Sequence, residues 1–385
     1  MSAPAGAGDD LEAERLARAE LSRVFEPGDT RCTGLVAEIG GVAMHTALSN
    51  ERDLAGVRTD YGARLTATDG AVELERAERL GLRFVIPGDP EWPSGLDDLA
   101  GVAAVQERGG PPLGLWVRGP LRLDEVSGAV AVVGARTSTS YGNAVAADLA
   151  ATVAEAGRVV VSGAAYGIDY RAHTGALAAD GRTVAVLACG ADRVYPQGHD
   201  RLLAHLAAEG AIVSEAPPGC APQRIRFLAR NRLIAALTAG TVVVEAAIRS
   251  GALNTANWAG RLLRPVLGVP GPVTSAASAG VHQLLRDGGA TLVTGGTDVL
   301  EVLGAAGEHL VEVPRAPDRP RDRLTTRQRQ VLDGVPVGQG ARADSVARAA
   351  GLGVVEVQGT LRRLEEIGHV ERDASGWRLG PLAMD

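Results

Sequence analysis

Two glycine-containing stretches of similar layout carry the residue types that bind phosphate. Residues 130–142, VAVVGARTSTSYG, run from an apolar β-branched segment through Gly134 to Arg136 and a series of hydroxyl side chains. Residues 159–169, VVVSGAAYGID, repeat the apolar segment and the glycine. An apolar run that ends at glycine before a helix is typical of a strand leading into a phosphate-binding turn. Together the stretches suit a ligand with several phosphates in a row, a nucleotide or a nucleic acid.

The first stretch departs from the dinucleotide-binding fingerprint GxGxxG. Ala135 and Arg136 stand where that fingerprint has the glycine that admits a pyrophosphate, so a single NAD or FAD clamp is disfavoured. A guanidinium at this position suits a phosphate, and we predict a ligand contact for Arg136. The hydroxyl residues that follow, Ser138 among them, are of the types that commonly cap a helix.

The second stretch encloses a short loop between two glycines. Gly163 and Gly167 allow the backbone to approach a ligand closely. Asp169 lies near the start of the next predicted helix, and His173 follows four residues later. These two could form an acid–base pair on one helix face, but local capping and hydrogen bonding are favoured.

An arginine-rich segment is the strongest electrostatic feature of the chain. No acidic residue lies between Glu215 and Glu245, and Phe227 stands among the arginines. The arginines are Arg224, Arg226, Arg230 and Arg232. Cations beside an aromatic ring suit a single nucleic-acid strand, whose phosphates need charge and whose bases need a stacking surface. A solvated helix face is the alternative, which the lack of neighbouring acids in the sequence weakens.

Glu245 ends another predicted strand, and Ser250 and Gly251 precede another predicted helix. The carboxylate could act as a base, as a cap partner or as the partner of an arginine. We expect it to orient Arg230 or Arg232 through a salt bridge, since no second catalytic group is apparent. The sequence contains no GxSxG, HExxH or Walker A pattern.

Seven short β-rich runs alternate with helical stretches in the middle of the chain. The runs are VAVVG, VVVSG, TVAVLACG, AIVSEAPPG, TVVVEAA, PVLGVPG and ATLVTGG. Because they are continuously apolar rather than alternating, we predict parallel strands with helices on both faces. The predicted fold class is α/β, with an extended Rossmann-like, doubly wound parallel sheet. Ligands of such sheets bind beyond the carboxyl ends of the strands, where the glycine stretches lie.

The chain divides into four predicted regions. Residues 1–82 are predicted to form a helical N-terminal domain, and residues 83–309 the Rossmann-like core. Residues 310–323, with three prolines and several arginines, are predicted to be a linker. Residues 324–385 show the order helix, helix, helix, hairpin, which is a winged-helix pattern.

The third helix of that last domain would be its recognition element. Gln358, Arg362 and Arg363 would face a nucleic-acid groove. Three glutamates on the same helix oppose such a contact, and they are Glu356, Glu365 and Glu366. Since many winged helices bind protein, contact with DNA and contact with protein stay open as equal alternatives.

Composition narrows the class of protein. The net charge of −7 at pH 7 argues against a generally basic DNA-binding protein, although all 39 basic residues are arginine. Cys32, Cys189 and Cys220 lie far apart without CxxC spacing, so neither a disulfide framework nor a metal site is predicted. The N-terminus is unlike a signal peptide, and no apolar run approaches the ~20 residues that span a bilayer. We expect a cytoplasmic protein without membrane contact.

In combination these motifs resemble the bacterial DNA-processing protein A family, also called DprA or Smf. The resemblance rests on VAVVGARTSTSYG, VVVSGAAYGIDYRAHTGAL, GRTVAVLACGADRVYPQGH, GAIVSEAPPG, RNRLIAALTAGTVVVEAAIRSGALNTA and VPGPV, in that order. It implies an ATP-independent, non-catalytic protein without a cofactor that binds single-stranded DNA. Such a protein protects incoming DNA during natural transformation and loads the recombinase RecA onto it. The resemblance also implies a SAM-like or helix-hairpin-helix N-terminal region, a winged helix and a homodimer.

The resemblance extends to individual residues. The predicted DNA contacts are Gly134, Arg136, Ser138, Gly163, Tyr166, Gly167, Arg226, Phe227, Arg230, Asn231, Arg232, Ser250 and Gly251. Asp169 and Glu245 are expected to support them.

Four positions depart from the pattern of the family. Ala135 replaces a usual serine, Tyr166 a usual basic residue, Ala229 a residue that tends to be basic or proline, and His282 a usual asparagine. Each change removes a polar or charged contact to the ligand, so we expect weaker or more stacking-dependent binding. Tyr166 could serve as a platform for a base.

Two other classes of protein stay open. One is a Rossmann-type nucleotide phosphoribohydrolase resembling the lysine-decarboxylase-like family, whose PGGxGTxxE loop is absent here although Glu245 is present. The other is a regulator that acts through the winged helix and uses the core only for oligomerisation.

Overall fold

The chain forms two compact units, Met1–Val311 and Glu312–Asp385, which are treated separately below. The structure is a computed structural model, and the residues that it describes are 7–50, 60–65, 68–310 and 319–383. The predicted domain boundary at residue 82 falls inside the first unit and stays a prediction. Most of the predicted linker lies outside the described residues.

A large sheet organises the first unit. Its strands are β1 (Leu82–Val85), β2 (Leu115–Arg118), β3 (Val130–Val133), β4 (Val160–Ser162), β5 (Thr183–Leu187), β6 (Ala211–Ser214), β7 (Gly240–Val243), β8 (Val266–Gly268) and β9 (Thr291–Leu292). The spatial order of these described strands is β1-β2-β6-β5-β4-β3-β7-β8-β9. The seven strands β3 to β9 are parallel to one another. At one edge of the sheet β2 pairs with β6 in antiparallel orientation, and β1 pairs with β2 in the same way.

The strand order reverses between β3 and β7. From β3 the chain adds β4, β5 and β6 on one side, and then returns to place β7, β8 and β9 on the other. Such a reversal opens a crevice at the carboxyl ends of the two central strands, which is the usual ligand position in doubly wound folds. The predicted parallel α/β sheet is confirmed, and both glycine stretches end at this edge.

Helices cover both faces of the sheet. Those of the first unit are α1 (Ala7–Val24), α2 (Thr30–Ile39), α3 (Gly41–Ser49), α4 (Asp60–Leu65), α5 (Gly70–Arg79), α6 (Ser140–Glu155), α7 (Ile168–Ala178), α8 (Asp200–Glu209), α9 (Arg224–Ala236), α10 (Ala252–Arg261), α11 (Ala279–Arg286) and α12 (Gly296–Leu303). None of the described helices is long and apolar enough to cross a membrane.

The apolar sequence of β3 shows why the parallel strands of the sheet need a helical layer on each face. Val130 and Val132 pack into a core with residues of α6, α7 and α12. Ala131 and Val133 point to the opposite face and pack with residues of α9 and α10. Successive side chains of a strand alternate between faces, so a continuously apolar strand must be covered on both sides.

The helices before β1 are tied to the sheet by charged side chains. Arg15 of α1 makes two hydrogen bonds to the Asp89 carboxylate, of 2.7 and 2.8 Å, and a third to the Phe84 carbonyl. Arg18 donates to the Leu113 carbonyl at 2.9 Å. These contacts hold α1 against the β1 edge of the sheet.

The second unit has a small core of its own. Its elements are α13 (Thr326–Asp333), α14 (Ala343–Ala350), α15 (Val354–Glu366), β10 (Val370–Asp373) and β11 (Gly376–Leu379). The Thr325 hydroxyl accepts a hydrogen bond from the Gln328 backbone N–H, and the Gln328 side chain accepts one from the Thr325 N–H, which fixes the start of α13. Val331, Leu361 and Trp377 are buried together. The three helices and the hairpin lie where the sequence predicts them.

A fully buried ion pair links α9 to the segments around it. Both terminal nitrogens of Arg232 lie 2.7 Å from the Glu215 carboxylate, and its Nε donates to the Gly110 carbonyl at 2.9 Å. The Arg232 side chain is 0% exposed. Glu215 also accepts from the Gly28 backbone N–H at 3.3 Å, so the pair connects α9, the end of β6 and two loops.

We expect Arg232→Ala to destabilise the first unit strongly. It would leave the Glu215 carboxylate buried without its partner, which lowers the free energy of unfolding by about 3–5 kcal/mol. Arg182→Ala is the matched control, because its pair with Glu125 is about half exposed and contributes at most about 1 kcal/mol. Urea unfolding followed by tryptophan fluorescence in a Trp377→Phe background measures both. Equal losses in the two variants would contradict the expectation.

Candidate nucleic-acid interface

A cavity of about 800 Å³ lies beyond the carboxyl ends of β3 and β7, at the reversal of strand order. We call it the main cavity. Its lining includes Gly134, Ala135, Arg136, Thr137, Asp169, Arg224, Phe227, Arg230, Asn231, Arg249, Ser250 and Gly251. The two glycine stretches and the arginine segment therefore meet at one site, as the sequence predicts.

Phe227 lies close to two guanidinium groups of the main cavity. The Cζ atom of Arg136 is 4.9 Å from the centre of the Phe227 ring, and that of Arg230 is 5.9 Å from it. Arg136 is exposed and has no ion pair among the described residues. Tyr195 packs on the same ring, with a centroid distance of 5.7 Å. The cavity thus places cations next to an aromatic surface. Proteins that bind single-stranded nucleic acid combine these two features, because cations contact the phosphates and rings stack with the bases.

Arg230 is a buried cation at the wall of the main cavity. Its side chain donates to the carbonyl oxygens of Gly163 at 2.8 Å and Val186 at 2.7 Å. Burial lowers the pKa of Arg230 and the negative charge of Asp169 opposes this shift, but an arginine keeps its proton in proteins. A Cβ at position 163 would overlap the guanidinium, so a residue larger than glycine would have to displace this buried and hydrogen-bonded group.

Asp169 is hydrogen-bonded to the loop between Gly163 and Gly167. It is buried, and its carboxylate accepts a hydrogen bond from the Ala165 backbone N–H at 3.3 Å. Burial raises its pKa, and the nearby charges of Arg230 and Arg136 oppose this shift. The contact with Ala165 agrees with the local hydrogen bonding favoured from the sequence, but Asp169 does not cap α7, whose N-cap residue is Gly167.

His173 does not pair with Asp169. It is fully buried, and its Nδ1 lies 2.8 Å from the Thr183 hydroxyl oxygen. That hydroxyl donates its own proton to the Val160 carbonyl, so the histidine Nδ1 must be the donor to it. Burial lowers the pKa of His173 to about 3. The residue is therefore neutral and structural near pH 7.

Glu245 corrects one prediction. It is 1% exposed, and its carboxylate accepts hydrogen bonds from the backbone N–H of Thr139 at 2.9 Å and the Thr139 hydroxyl at 2.6 Å. The expected salt bridge to Arg230 or Arg232 is therefore wrong. The backbone turn after β3 brings the start of α6 next to the end of β7, so both carboxylate oxygens of Glu245 find their hydrogen-bond donors in Thr139.

Arg232 and Arg226 require a second correction. The predicted ligand contact of Arg232 is wrong, because the whole side chain is enclosed with Glu215 and has no exposed surface. Arg226 makes two hydrogen bonds of 2.7 Å to the Glu26 carboxylate, and it does not line the main cavity. The segment lacks acids in sequence, but the fold brings two to it from elsewhere in the chain.

The start of α10 completes the main cavity. Asn231, on α9, donates to the Asn254 side chain at 3.1 Å. Ser250 accepts a hydrogen bond at 3.3 Å from the N–H of Ala252, the first residue of α10. Gly251, the N-cap residue, is exposed and has no atom near its Cβ position. Backbone N–H groups at a helix N-terminus add a partial positive charge to this wall.

A second cavity, of about 340 Å³, shares Arg136 and Thr137 with the first. We call it the minor cavity. Its other lining residues are Ser138, Asn143, Tyr166, Gly167, Tyr170, Arg171, Gly198 and His199. Ser138 donates to the Asn143 side-chain oxygen at 2.6 Å, so both roles of the hydroxyl segment, capping by Thr139 and a polar wall by Ser138, occur together.

Two glycines allow these loops to pack. A Cβ on Gly134 would lie 2.5 Å from the Ile168 side chain. Gly167 has a φ of +78°, and a Cβ there would overlap the Ala135 carbonyl. Both residues therefore serve the close approach of the two turns to each other rather than solely the approach of a ligand.

Comparison with known proteins agrees with this geometry. The family described as DNA recombination-mediator protein A matches residues 83–304. The chain belongs to this family. A putative DNA processing protein DprA of Mycobacterium tuberculosis is 46% identical over 364 residues, which cover 94% of this chain and 93% of that protein.

Two solved structures of DNA processing protein A are also similar. The protein of Streptococcus pneumoniae aligns with a TM-score of 0.59 and 28% identity, covering 78% of this chain and 98% of that one. The protein of Helicobacter pylori aligns with a TM-score of 0.50 and 28% identity, covering 57% and 95%. The latter structure is described as giving a unique single-stranded DNA binding mode.

The departures from the DprA pattern fall into two groups. Ala135 lines the main cavity, and Tyr166 is 52% exposed in the minor cavity. Ala229 is fully buried, and His282 lies 3.0 Å from the Gly271 carbonyl and outside both linings, so the expected loss of a ligand contact at these two positions is wrong.

Sequence reasoning missed several lining residues of this DprA family member. Arg171 and Arg249 are exposed and have no ion pair among the described residues, and Tyr170 and His199 line the minor cavity. Arg171 lies four residues after Gly167 and Arg249 directly precedes Ser250, so position near a predicted loop was the available signal. His199 comes from the loop after β5 and ends the GRTVAVLACGADRVYPQGH motif, in which no individual site residue was predicted. No group of described residues could hold a metal ion.

We expect Gly163→Ala to disturb the site. The added Cβ overlaps the Arg230 guanidinium, and overpacking of this kind lowers the free energy of unfolding by about 1–3 kcal/mol. Gly251→Ala is the matched control, since that glycine has no atom near its Cβ position and should change stability by less than about 0.5 kcal/mol. Urea unfolding measures both variants, and a neutral Gly163→Ala would contradict the assigned contact.

We expect His173 to make stability depend on pH. Its pKa in the folded state is about 3 against an ordinary value of 6.5, so the unfolded state binds the extra proton between these values. The stabilisation is present above pH 6.5 and is lost as the pH falls towards 3, at up to about 1.4 kcal/mol per pH unit. His173→Asn, which keeps a donor for Thr183, should remove this slope from urea unfolding measured across the window. An unchanged slope would contradict the burial of a neutral ring.

Proposed function

We propose that the protein is a recombination mediator that binds single-stranded DNA without ATP and without catalysis. The observation that carries the proposal is the set of exposed arginines at the main cavity that have no ion pair among the described residues, placed beside Phe227. These arginines are Arg136, Arg224 and Arg249. Membership of the DNA recombination-mediator protein A family and the similarity to the Helicobacter pylori protein support the same ligand.

Charge at the main cavity is opposite to that of the chain. Arg230 adds a fourth guanidinium to its lining, against which Asp169 is the one acidic residue among the described lining residues. The chain as a whole carries −7. A local cationic surface on an acidic protein concentrates phosphate at one site and disfavours indiscriminate binding elsewhere.

Aromatic access favours a single strand over a duplex. Phe227 and Tyr166 present ring surface in the two cavities, which meet at Arg136. Bases stacked inside a duplex cannot reach such rings, whereas the bases of a single strand can stack on them while its phosphates follow the arginines.

The wider role follows the family resemblance. We propose that the protein acts in the cytoplasm as a homodimer, protects incoming single-stranded DNA during natural transformation and loads RecA onto it. We propose that α13 to α15 and the following hairpin form a winged helix, in which Gln358, Arg362 and Arg363 are exposed on α15. The helical region before β1 is proposed to be SAM-like or helix-hairpin-helix.

The geometry disfavours a nucleotide phosphoribohydrolase. That alternative needs a carboxylate that faces the ligand, whereas both oxygens of Glu245 are engaged by Thr139 and the residue is buried. Asp169 is likewise buried and bonded to a loop N–H. A regulator that acts through the second unit alone leaves the unpaired arginines of the main cavity without a role.

We expect Arg136→Ala and Arg249→Ala each to weaken binding of an oligo-dT strand and to reduce the slope of log affinity against log salt by about 0.7. Arg261→Ala is the matched control, because Arg261 is exposed at the far end of α10 from the main cavity. Fluorescence anisotropy titrations at several salt concentrations measure affinity and slope together.

Two outcomes would refute the proposed function. One is the absence of binding to any single strand, and the other is binding that both Arg136→Ala and Arg249→Ala leave unchanged. Release of base from a nucleoside monophosphate by the wild type, lost in Glu245→Gln, would instead support the hydrolase.

A further inference from the structure

The minor cavity contains an aromatic cluster that phosphate binding by the arginines of the main cavity does not explain. Tyr166, Tyr170 and His199 contribute three rings to its wall. The chain is only 3% aromatic, with five tyrosines, so two of them at one small cavity is a strong local enrichment. At about 340 Å³, the cavity is at the lower end of the ~300–1,000 Å³ range of small-ligand pockets, a size that suits one nucleotide.

His199 fixes the geometry of this cluster. Its Nδ1 lies 3.0 Å from the Ala164 carbonyl oxygen, which can only accept, so Nδ1 carries the proton. The Tyr166 ring meets the held imidazole edge-on at a centroid distance of 4.7 Å and an angle of 73°. The Tyr170 ring lies 4.6 Å away at 35°. Both tyrosines therefore rest on a buried ring whose orientation is set by the backbone.

Tyr166 offers its ring to solvent although it is held in place. The residue is 52% exposed, and its hydroxyl has no protein hydrogen bond among the described residues. A rigid aromatic residue loses little conformational entropy when a planar ligand stacks on it. This makes Tyr166 a suitable platform for a base.

The remaining lining is cationic and polar. Arg136 and Arg171 are exposed at the minor cavity, and its described lining contains no acidic residue. Asn143 accepts from Ser138 through its side-chain oxygen, which leaves its NH₂ group to donate. Cations thus flank the aromatic wall, with a hydrogen-bond donor beside it.

We propose that the minor cavity is a nucleobase subsite. One base of a bound strand leaves the stack of its neighbours and rests on Tyr166, while the phosphates on either side of it face Arg136 and Arg171. The Asn143 amide donates to an acceptor on the edge of the base. This inference rests on the proposed function and deepens it, because it separates a base-dependent contact from the phosphate contacts of the main cavity.

The test compares two fluorescein-labelled strands of equal length, oligo-dT and a strand whose bases are replaced by abasic sites. Tyr166→Leu should lower the affinity for oligo-dT by about 5- to 150-fold and leave the affinity for the abasic strand unchanged. The salt slope should not change, since no charge is removed. Tyr166→Phe keeps the ring and should bind oligo-dT like the wild type. Arg171→Ala should weaken both strands and reduce the slope by about 0.7.

Three results would overturn the inference. The first is a loss in Tyr166→Leu that is equal for the two strands, and the second is no loss for either. The third is tight binding of free dTMP that Tyr166→Leu abolishes while oligo-dT binding is unaffected, which would make the cavity a site for a free nucleotide. If the wild type binds neither strand, the proposed function itself is refuted. Failure of the base subsite and failure of the proposed function are therefore distinguishable.

Discussion

A buried guanidinium determines the layout of the site. Moving the charge of Arg230 out of water is unfavourable by several kcal/mol, and the carbonyl oxygens of Gly163 and Val186 offset part of this. The need to reach both carbonyls explains the missing side chain at position 163 and places Phe227 against the guanidinium. The Asp169 carboxylate near the loop attracts the guanidinium, although burial raises the pKa of Asp169 and so disfavours its ionised form. The positive charge of Arg230 that these groups do not neutralise lies at the wall of the main cavity, where it would attract an anion.

The topology of the sheet decides where that charge is used. Residues 134–136 follow β3, residues 163–167 follow β4 and residues 245–251 follow β7, so three loops far apart in sequence meet at one edge. Arg136 and Thr137 are common to the two cavities, and Arg136 is the charged one of the pair. The two cavities are therefore adjacent, with the Arg136 guanidinium between the main cavity and the minor cavity.

The sequence predicted the elements and the edge of the sheet that carries the site, because continuously apolar runs and their terminal glycines are local signals. It did not predict which arginines are free. The acid-free segment suggested four available cations, but Glu26 and Glu215 reach Arg226 and Arg232 across 200 and 17 residues. The same limit applies to Glu245, whose partner Thr139 is 106 residues away. Pairing of charges depends on long-range geometry, which spacing within a segment does not encode.

The buried Glu245 side chain has an effect on the shape of the ligand site. In many doubly wound proteins the crevice between the two central strands takes in the phosphates of a nucleotide and encloses one end of it. Here the carboxylate and the start of α6 occupy that depth, with Gly142 in contact with Glu245. Although Glu245 lies just after β7, at the reversal of strand order, it does not line the main cavity. Its charge is used inside the protein, to fix the turn after β3 against the end of β7.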